Sequence, residues 1–509
     1  VITADLLLRN AKFVTLDGPA DAIAILGDRI VALEDVPAHE TIDLDGAVVV
    51  PGFHDAHNHM AWYGLSLSEV DLRADSLDEL YARVAAAPAG DWLIGSGYDQ
   101  NKTGGHPVRE VLDRIAPGRK VWLKHTSGHM CVVSSAVLDL LPRGEVDGGV
   151  VHWDTGLLEE QAQSLVNALV LPYPTDVLVD AIDRAGRQYL ADGITSCVEA
   201  GIGGGWIGKS PVELEAYQLA RERGKLHVRV ELMVASDVLH PVGSSFGLDL
   251  GIRSGFGDDW LSIGPVKVFS DGSLIGHTAA MCHDFADTPG ERGYLQSSAD
   301  ALTRKIVDAH RSGWRVATHA IGDAAIDLVL DAYALAQQEF PRDDPRHRIE
   351  HFGVARPDQV VRAAELGVVP VPQGRFVNEI GDGMLRALGA ERSKWAYRHR
   401  TLLDAGLVVP GSSDRPVVQG APLLGMHDLV NQRTSSGAVF NADEAVSGLD
   451  ALRAFTIGSA YASHQEHVKG TLSTGKLADL VVLDGDPTTT DRIKDISVLR
   501  TMVGGKFRC

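Results

Sequence analysis

His57 and His59 stand two apart in Pro51-Gly52-Phe53-His54-Asp55-Ala56-His57-Asn58-His59, just beyond the apolar run Ala47-Val48-Val49-Val50. That run reads as a strand, and side chains two apart on a strand share a face. Two imidazoles can then point at one spot, as they must to share a metal ion. Single polar residues recur at or near the ends of later apolar runs. Lys267 lies in Gly264-Pro265-Val266-Lys267-Val268-Phe269-Ser270-Asp271-Gly272, and His319 in Arg315-Val316-Ala317-Thr318-His319-Ala320-Ile321-Gly322-Asp323. His351 closes Arg348-Ile349-Glu350-His351, and Asp414 closes Pro410-Gly411-Ser412-Ser413-Asp414. Imidazole nitrogen and carboxylate oxygen without thiolate suit one or two divalent ions, Zn²⁺ first, with Mn²⁺, Co²⁺ or Ni²⁺ as alternatives. A lysine ammonium does not ligate, but an amine that has taken up CO₂ is an anionic carbamate able to bridge two metals. Lys267 sits between Val266 and Val268, where desolvation lowers an amine pKa towards that chemistry. A metal of this kind brings the pKa of bound water from about 15.7 towards about 7, which makes a nucleophile for a carbonyl carbon near neutral pH.

Each residue alone has a plainer reading. His319 or His351 would be a hydrogen-bonded core histidine, and Lys267 an ion-pair partner. Asp414 would be a helix N-cap, a role Ser412 and Ser413 also suit. For the set to be accidental, all of these would have to hold together at the ends of separate strands.

The elements that must position these residues alternate strand with helix, which predicts a parallel β/α architecture. Eight candidate strands lie near 53–58, 194–199, 228–234, 263–269, 314–319, 347–351, 368–373 and 408–413. Amphipathic helical stretches follow several of them, at Asp323 to Gln338, Pro357 to Leu366 and Arg392 to Ala405. Eight such units predict a (β/α)₈ TIM barrel with its site at the C-terminal strand ends; an open doubly wound sheet is the competing fold. The first fifty residues read as short strands, including a hairpin of 22–26 and 29–33 around Gly27-Asp28. Similar β segments recur at 477–483 and 498–503. Both ends together predict a composite β-sandwich from 1–51 plus 456–509, leaving the barrel to 52–455. The stretch from about 62 to 185 is too long for one crossover and reads as an inserted α/β subdomain over the barrel mouth. Gly272 to Gln296 is a second long loop there.

A formal net charge of -21 speaks against a general affinity for nucleic acid or anionic membrane, both of which need a positive surface. Apolar residues at 45% and charged residues at 23% are those of an ordinary soluble globular protein. The four cysteines, Cys131, Cys197, Cys282 and Cys509, are widely spaced. That argues against a disulfide framework or a Cys-ligated zinc and suits a reducing cytosol. No apolar run approaches a membrane span, and Val1-Ile2-Thr3-Ala4-Asp5 lacks a signal-peptide layout. The partner expected is a small-molecule substrate, and homo-oligomers are common among enzymes of this size.

Two readings compete with a metal enzyme. Gly203-Gly204-Gly205-Trp206-Ile207-Gly208-Lys209-Ser210 matches a phosphate-binding P-loop, between a strand (194–199) and a helical stretch (212–221). Pro211 then removes an N–H where the phosphate cradle begins. The other is a non-catalytic scaffold on the same fold, which would be expected to have lost ligand positions that are filled here. Trp62, Tyr63, Tyr98, Trp153, Trp206 and Phe376 fall in candidate pocket loops and hint at an apolar or aromatic substrate.

The opening Pro51 to His59 motif resembles that of the amidohydrolase superfamily. His319-Ala320-Ile321-Gly322-Asp323, Ile349-Glu350-His351, Val266 to Ser273, Gly411-Ser412-Ser413-Asp414-Arg415-Pro416, Ser127-Gly128-His129 and the tail Gly475 to Leu483 resemble amidohydrolase family 3, which includes N-substituted formamide deformylases. The resemblance runs over nearly the whole chain. It implies a mono- or binuclear centre, with His57 and His59 on the more buried metal and His319 and His351 on the more exposed one. Carboxylated Lys267 would bridge, and Asp414 would ligate and shuttle the proton. His129, Asp271 and Gln373 would lie near the substrate, although Val371-Pro372-Gln373-Gly374 departs from the Gln-Pro usual after the seventh strand. The activity implied is hydrolysis of an amide or N-substituted formamide. A carbamate, urea, lactone or ester is the alternative, since the same nucleophile attacks all of these carbonyls.

Overall fold

A computed structural model describes residues 3–204 and 207–508. Seven parallel strands form the central sheet: β1 (Phe53–Asn58), β2 (Ile194–Ile202), β3 (Arg229–Ala235), β4 (Leu261–Phe269), β5 (Val316–Ala320), β6 (Arg348–His351) and β7 (Val369–Val371). They are neighbours in chain order from β1 to β7. All nine residues of β2 are buried, as in a parallel sheet covered on both faces. The helix Asp323–Glu339 covers the outside with Ile326, Val329, Leu330, Tyr333 and Ala336, spaced to share one helical face.

The eighth expected strand, 408–413, makes no ladder. Pro410 has no N–H to donate, and the Gly411 N–H goes to the Ala454 carbonyl. Two backbone bonds still tie the segment to β1: Ala56 N–H donates to Gly411 O at 2.9 Å, and Asp414 N–H to His57 O at 2.7 Å. On the other side Ser412 Oγ donates to Pro372 O at 3.1 Å, just beyond β7. The barrel is thus nearly closed, with its seam at the residue that carries the carboxylate. The expected helix 392–405 also divides, into a short turn at Ser393–Trp395 and a helix at His399–Asp404. Tyr397 between them has φ 46° and donates its N–H to Gly353.

The two chain ends build a pair of sheets. One holds Ala4–Arg9, Ile23–Leu26, Arg29–Ala32 and Ala38–Asp43. The other holds Lys12–Phe13, Val48–Pro51, Leu480–Leu483, Val498–Val503 and Lys506–Phe507. Leu6, Leu8, Ile23 and Ile25 of the first sheet share a core with Val49, Leu480, Val482 and Met502 of the second. The Val48–Pro51 strand runs through Gly52 straight into β1, so this domain fixes the start of the strand bearing His57. A mixed six-stranded sheet spans residues 70–160 as the inserted unit. The helix Thr175–Ala191, which begins inside the expected 62–185 segment, packs instead on Met60–Ser66 and on the barrel core. Among the described residues no single helix is long and apolar enough to cross a membrane. Cys131, Cys197 and Cys282 are free; Cys509 lies outside the described residues.

One buried ion pair joins barrel to sandwich. Arg229 Nε on β3 lies 2.7 Å from Asp479 Oδ2, with side chains 2% and 3% exposed. Asp479 Oδ1 also accepts the Gly504 N–H at 2.8 Å. Removing one partner leaves the other charge uncompensated, so Asp479→Ala should lower stability by about 3–5 kcal/mol. Removing the exposed pair Arg83–Glu79 should leave stability almost unchanged. Thermal denaturation of the two variants checks the contrast.

Candidate metal centre

Strand alternation turns His57 inward from β1. His59, one step beyond the strand, precedes the helix Met60–Ser66. His319 lies on β5, and Lys267 on the neighbouring β4. His351 ends β6 with φ 71°, and Asp414 has φ 58° at the seam. Left-handed backbone at two non-glycine residues of one site is held only where the surroundings impose it.

These side chains converge. One ligand atom from each of His57, His351 and Asp414 lies within 4.8 Å of the others. Asp414 Oδ1 is 3.3 Å from His57 Nε2 and 3.1 Å from His59 Nε2. The His319 and His351 rings are 4.5 Å apart, and those of His57 and His351 5.1 Å. Lys267 is 1% exposed. Its amine makes no hydrogen bond or ion pair with a described residue, and its near neighbour is the Phe269 ring at 4.9 Å. Burial pushes this amine down to about 8, against the pull of Glu350 and Asp414.

Behind the imidazoles stands a ring of buried acceptors. His57 Nδ1–H donates to Glu350 Oε2, and Arg348 in turn grips Glu350 through Nε at 2.7 Å and Nη2 at 2.9 Å. His319 Nδ1–H donates to Asp271 Oδ1 at 3.0 Å, and His351 Nδ1–H to Gln373 Oε1 at 2.7 Å. Glu199 Oε1 lies 3.6 Å from His59 Nδ1, while its Oε2 accepts from Ala61 N–H and the Tyr217 hydroxyl. The Nδ1 atoms of His57, His319 and His351 are thereby occupied, leaving their Nε2 for the centre. His57 Nε2 and His319 Nε2 are buried without a hydrogen-bond partner among the described residues. Buried imidazole lone pairs with no donor, beside an aspartate, are the donor set a divalent cation completes.

The electrostatics follow. Burial pushes His351 down to about 3, and burial with neighbouring His351 holds His319 well below the usual histidine range. Both are neutral, as ligation requires. Burial would raise Asp414, but the close approach of the His57 and His59 rings outweighs it and keeps the carboxyl well below the usual range. Burial likewise opposes charge on Glu350, and Arg348 and His57 overcome it.

His129 joins the site from the inserted unit. Its Nδ1 lies 2.8 Å from Glu160 Oε2 and its ring 5.1 Å from that of His319. Burial opposes the charged imidazole, but Glu160 prevails and the pKa is raised. His129, His319, His351 and Asp414 line one small cavity of about 20 Å³ with Phe376, Tyr397, Leu274 and Ile275. Leu274 and Ile275 come from the expected loop of 272–296. Asp271 and Gln373, expected near the substrate, stand instead behind His319 and His351. Asp271 is fully buried and also accepts from the N–H groups of Ala280, Ile321 and Gly322; burial pushes it up to about 7. The Gln373 amide donates to Val371 O and Ser412 Oγ.

Sequence reasoning missed Glu350, Glu199, Glu160 and Asp55. Asp55 accepts from the N–H groups of His57 and Ser413 and from the Ser413 hydroxyl, which binds the seam to β1. Charged residues in wholly buried strands were the available signal. Arg348 and Glu350, two apart on β6, share a face. Among the expected pocket aromatics, Trp62 lies 5.4 Å from the His59 ring and Phe376 6.2 Å from that of His351. Tyr63 packs on Tyr189, Tyr98 on His125, and Trp153 under Arg143. Trp206 lies outside the described residues.

Among the described residues of the glycine-rich loop, the amides turn to a side chain of the protein itself. The Gly203 and Lys209 N–H groups donate to Glu213 Oε2 at 3.1 and 2.8 Å, so a carboxylate of the chain already occupies the amides a phosphate would need. Gly205 and Trp206 of that motif lie outside the described residues.

The chain matches the amidohydrolase family profile over residues 40–508. It is 32% identical to the putative amidohydrolase YtcJ of Bacillus subtilis (strain 168), over 92% of this chain and 90% of that protein. It is 30% identical to the N-substituted formamide deformylase of Arthrobacter pascens, over 99% and 98% of the two chains. A solved structure of an uncharacterized metal-dependent hydrolase from Pyrococcus horikoshii OT3 superposes with a TM-score of 0.77 at 29% identity, covering 96% of this chain and 98% of that one. Profile, relatives and fold agree: the chain belongs to the amidohydrolase family and is a metal-dependent hydrolase.

Proposed function

We propose that the chain hydrolyses a C–N amide-type bond, an amide or an N-substituted formamide. The observation that carries the reading is the convergence of buried Nε2 lone pairs on Asp414, each ring fixed from behind. His57, His59, His319, His351 and Asp414 would hold one or two divalent cations, zinc first, with Lys267 joining them as its carbamate. A cation there supplies a nucleophile from water near neutral pH and polarises a substrate carbonyl.

The chain's own residues do the rest. Asp414 takes the proton from the attacking water and delivers it to the leaving nitrogen, which would otherwise depart as a strongly basic amide anion. His129, whose charged form Glu160 favours, donates to the substrate oxygen as negative charge builds on it. Asp271, Gln373 and Glu350 act as positioning residues, each fixing one ring and its tautomer. Phe376, Leu274 and Ile275 exclude water from the reacting carbonyl. The deformylase named among the relatives supports the bond class.

Three outcomes test this reading. Asp414→Asn should retain metal by elemental analysis yet lose turnover by about 10²- to 10⁴-fold in a screen of N-formyl, N-acyl, carbamate, urea, lactone and ester compounds. Near-normal turnover would remove Asp414 from the proton transfer, and a wild-type preference for carbamate, urea, lactone or ester would move the bond assignment there. Glu350→Gln should weaken metal affinity by about 10- to 100-fold, read by chelator competition. Apoprotein reconstituted with Zn²⁺ in CO₂-free buffer should take up less metal than with added bicarbonate, and Lys267→Arg should abolish that difference; equal uptake in wild type would exclude the carbamate.

A further inference from the structure

The cavity at the metal centre, about 20 Å³, has the volume of about one water molecule. An amide and its substituents need several times that space. A wall must therefore move before a carbonyl carbon can come near Asp414, as lids and loops do in many enzymes.

Two wider cavities lie outside that wall. One, of about 260 Å³, sits between the inserted unit and the barrel loops, with Thr126 on the first side and Ile380, Val417 and Gln419 on the second. It shares Thr126 and Gln419 with another of about 400 Å³, and the two together are ample for a small molecule. The partition from the metal centre is thin. Ile380 and Val417 line the 260 Å³ cavity and also the small one that holds His129, His319, His351 and Asp414.

A buried hydrogen bond holds this partition. The Thr126 hydroxyl donates to Val417 O at 2.6 Å. Thr126 is itself fixed to the sheet of the inserted unit, its N–H donating to Tyr98 O at 2.8 Å, and the Val417 N–H donates to Asp414 O at 2.8 Å. The bond thus ties the segment that leads into His129 to the turn that begins at Asp414. Gln100 Nε2, donating to Ile275 O, and Arg386 Nη2, donating to Asn101 Oδ1, also cross between these parts, each at 2.9 Å. Elsewhere the inserted unit is seated without slack. The Gln296 amide donates to Glu160 Oε2, and a Cβ on Gly272 would fall 2.3 Å from Glu160 Oε1.

We propose that substrate reaches the metal centre from the 260 Å³ cavity, through a gate formed by Ile380 and Val417, and that the Thr126 hydroxyl is the latch of that gate. Thr126 touches no reacting atom. It is a positioning residue: closing the latch shuts the mouth and sets the His129 segment against the Asp414 turn in one movement. The proposal rests on the hydrolase reading for its effect on turnover, so two arms of its test need no turnover.

By hydrogen exchange, Thr126→Val should speed exchange of the backbone amides over 126–129 and 414–419 by about 2- to 10-fold, the range set by one hydrogen bond, and Thr126→Ser should restore it. Zinc loss from the loaded enzyme to excess EDTA should speed up in Thr126→Val by a similar factor, with zinc affinity at equilibrium unchanged. Gln419→Trp, a bulky change at an exposed position of the outer cavity, should slow that loss. Exchange and zinc loss at wild-type rates in Thr126→Val, or faster loss matched by weaker affinity, would overturn the latch. Zinc loss unaffected by Gln419→Trp would overturn the route. Should Thr126→Val fail to fold, Thr126→Ala takes its place. In the turnover arm, Thr126→Val should lower kcat for N-benzylformamide with little change in KM, and Gln419→Trp should lower kcat/KM for that compound more than for formamide. Absence of turnover with both compounds would count against the hydrolysed bond and leave exchange and zinc loss to decide the gate.

Discussion

Fixing a histidine ring takes one hydrogen bond at Nδ1, and this structure depends on making that bond several times around one point. Glu350, Asp271 and Gln373 each accept from a ring nitrogen, and each is fully buried. A neutral imidazole has one N–H. Once it is committed outward, the remaining lone pair has to face the centre. Several such lone pairs together, with a carboxylate among them, are costly to bury unless a cation accepts them. The same constraint explains the charged residues inside the barrel. Arg348 answers Glu350 with two hydrogen bonds, so the acceptor behind His57 remains ionised in a place where burial alone would neutralise it.

The seam of the barrel serves that purpose as well. A regular eighth strand would carry Asp414 on with extended backbone. Instead the segment keeps only two backbone bonds to β1, and Asp414 reaches φ 58°. Asp55 compensates by accepting from Ser413 as well as from His57, so the strand that carries the histidine pair also holds the loop that carries the aspartate. The departure from ladder geometry thus falls at the ligand and is repaired by a neighbour from the same motif. His351 has a parallel case: its φ of 71° breaks the alternation of β6, which lets Glu350 and His351 serve one centre from different sides.

Much of this was legible in the sequence because the ligand candidates are rare residue types in apolar runs, at a spacing set by strand geometry. The seven ladder strands, the sandwich from both chain ends and the His-x-His pair all follow from local pattern. The eighth strand did not, since Pro410 and Gly411 commit the backbone to partners far along the chain. The roles of Asp271 and Gln373 did not follow either. Both lie next to the site in the chain, and only coordinates distinguish a side chain in front of a histidine from one behind it. Glu350 and Glu199 were hidden for the same reason, as their partners are 293 and about 140 residues away. The limits of the inserted unit were blurred because the helix Thr175–Ala191 has an ordinary amphipathic pattern, and nothing local states whether its apolar face meets the insert or the barrel.

Three lysines around the mouth show how little the residue type decides by itself. Lys124, Lys209 and Lys267 all lie among aromatic rings. Burial works against charge on Lys124, yet Glu69 outweighs it and the amine titrates above its usual range; it is a structural cation. Lys267 faces carboxylates that are already engaged by other cationic or hydrogen-bonding groups, so burial prevails and the amine sits near 8. Lys209 is shifted as far by burial and by a like charge rather than by isolation. An amine near 8 is partly neutral at physiological pH and can either react with an electrophile such as CO₂ or await an anion. Lys267 is buried close to Asp414 and Glu350, so it is the one suited to react.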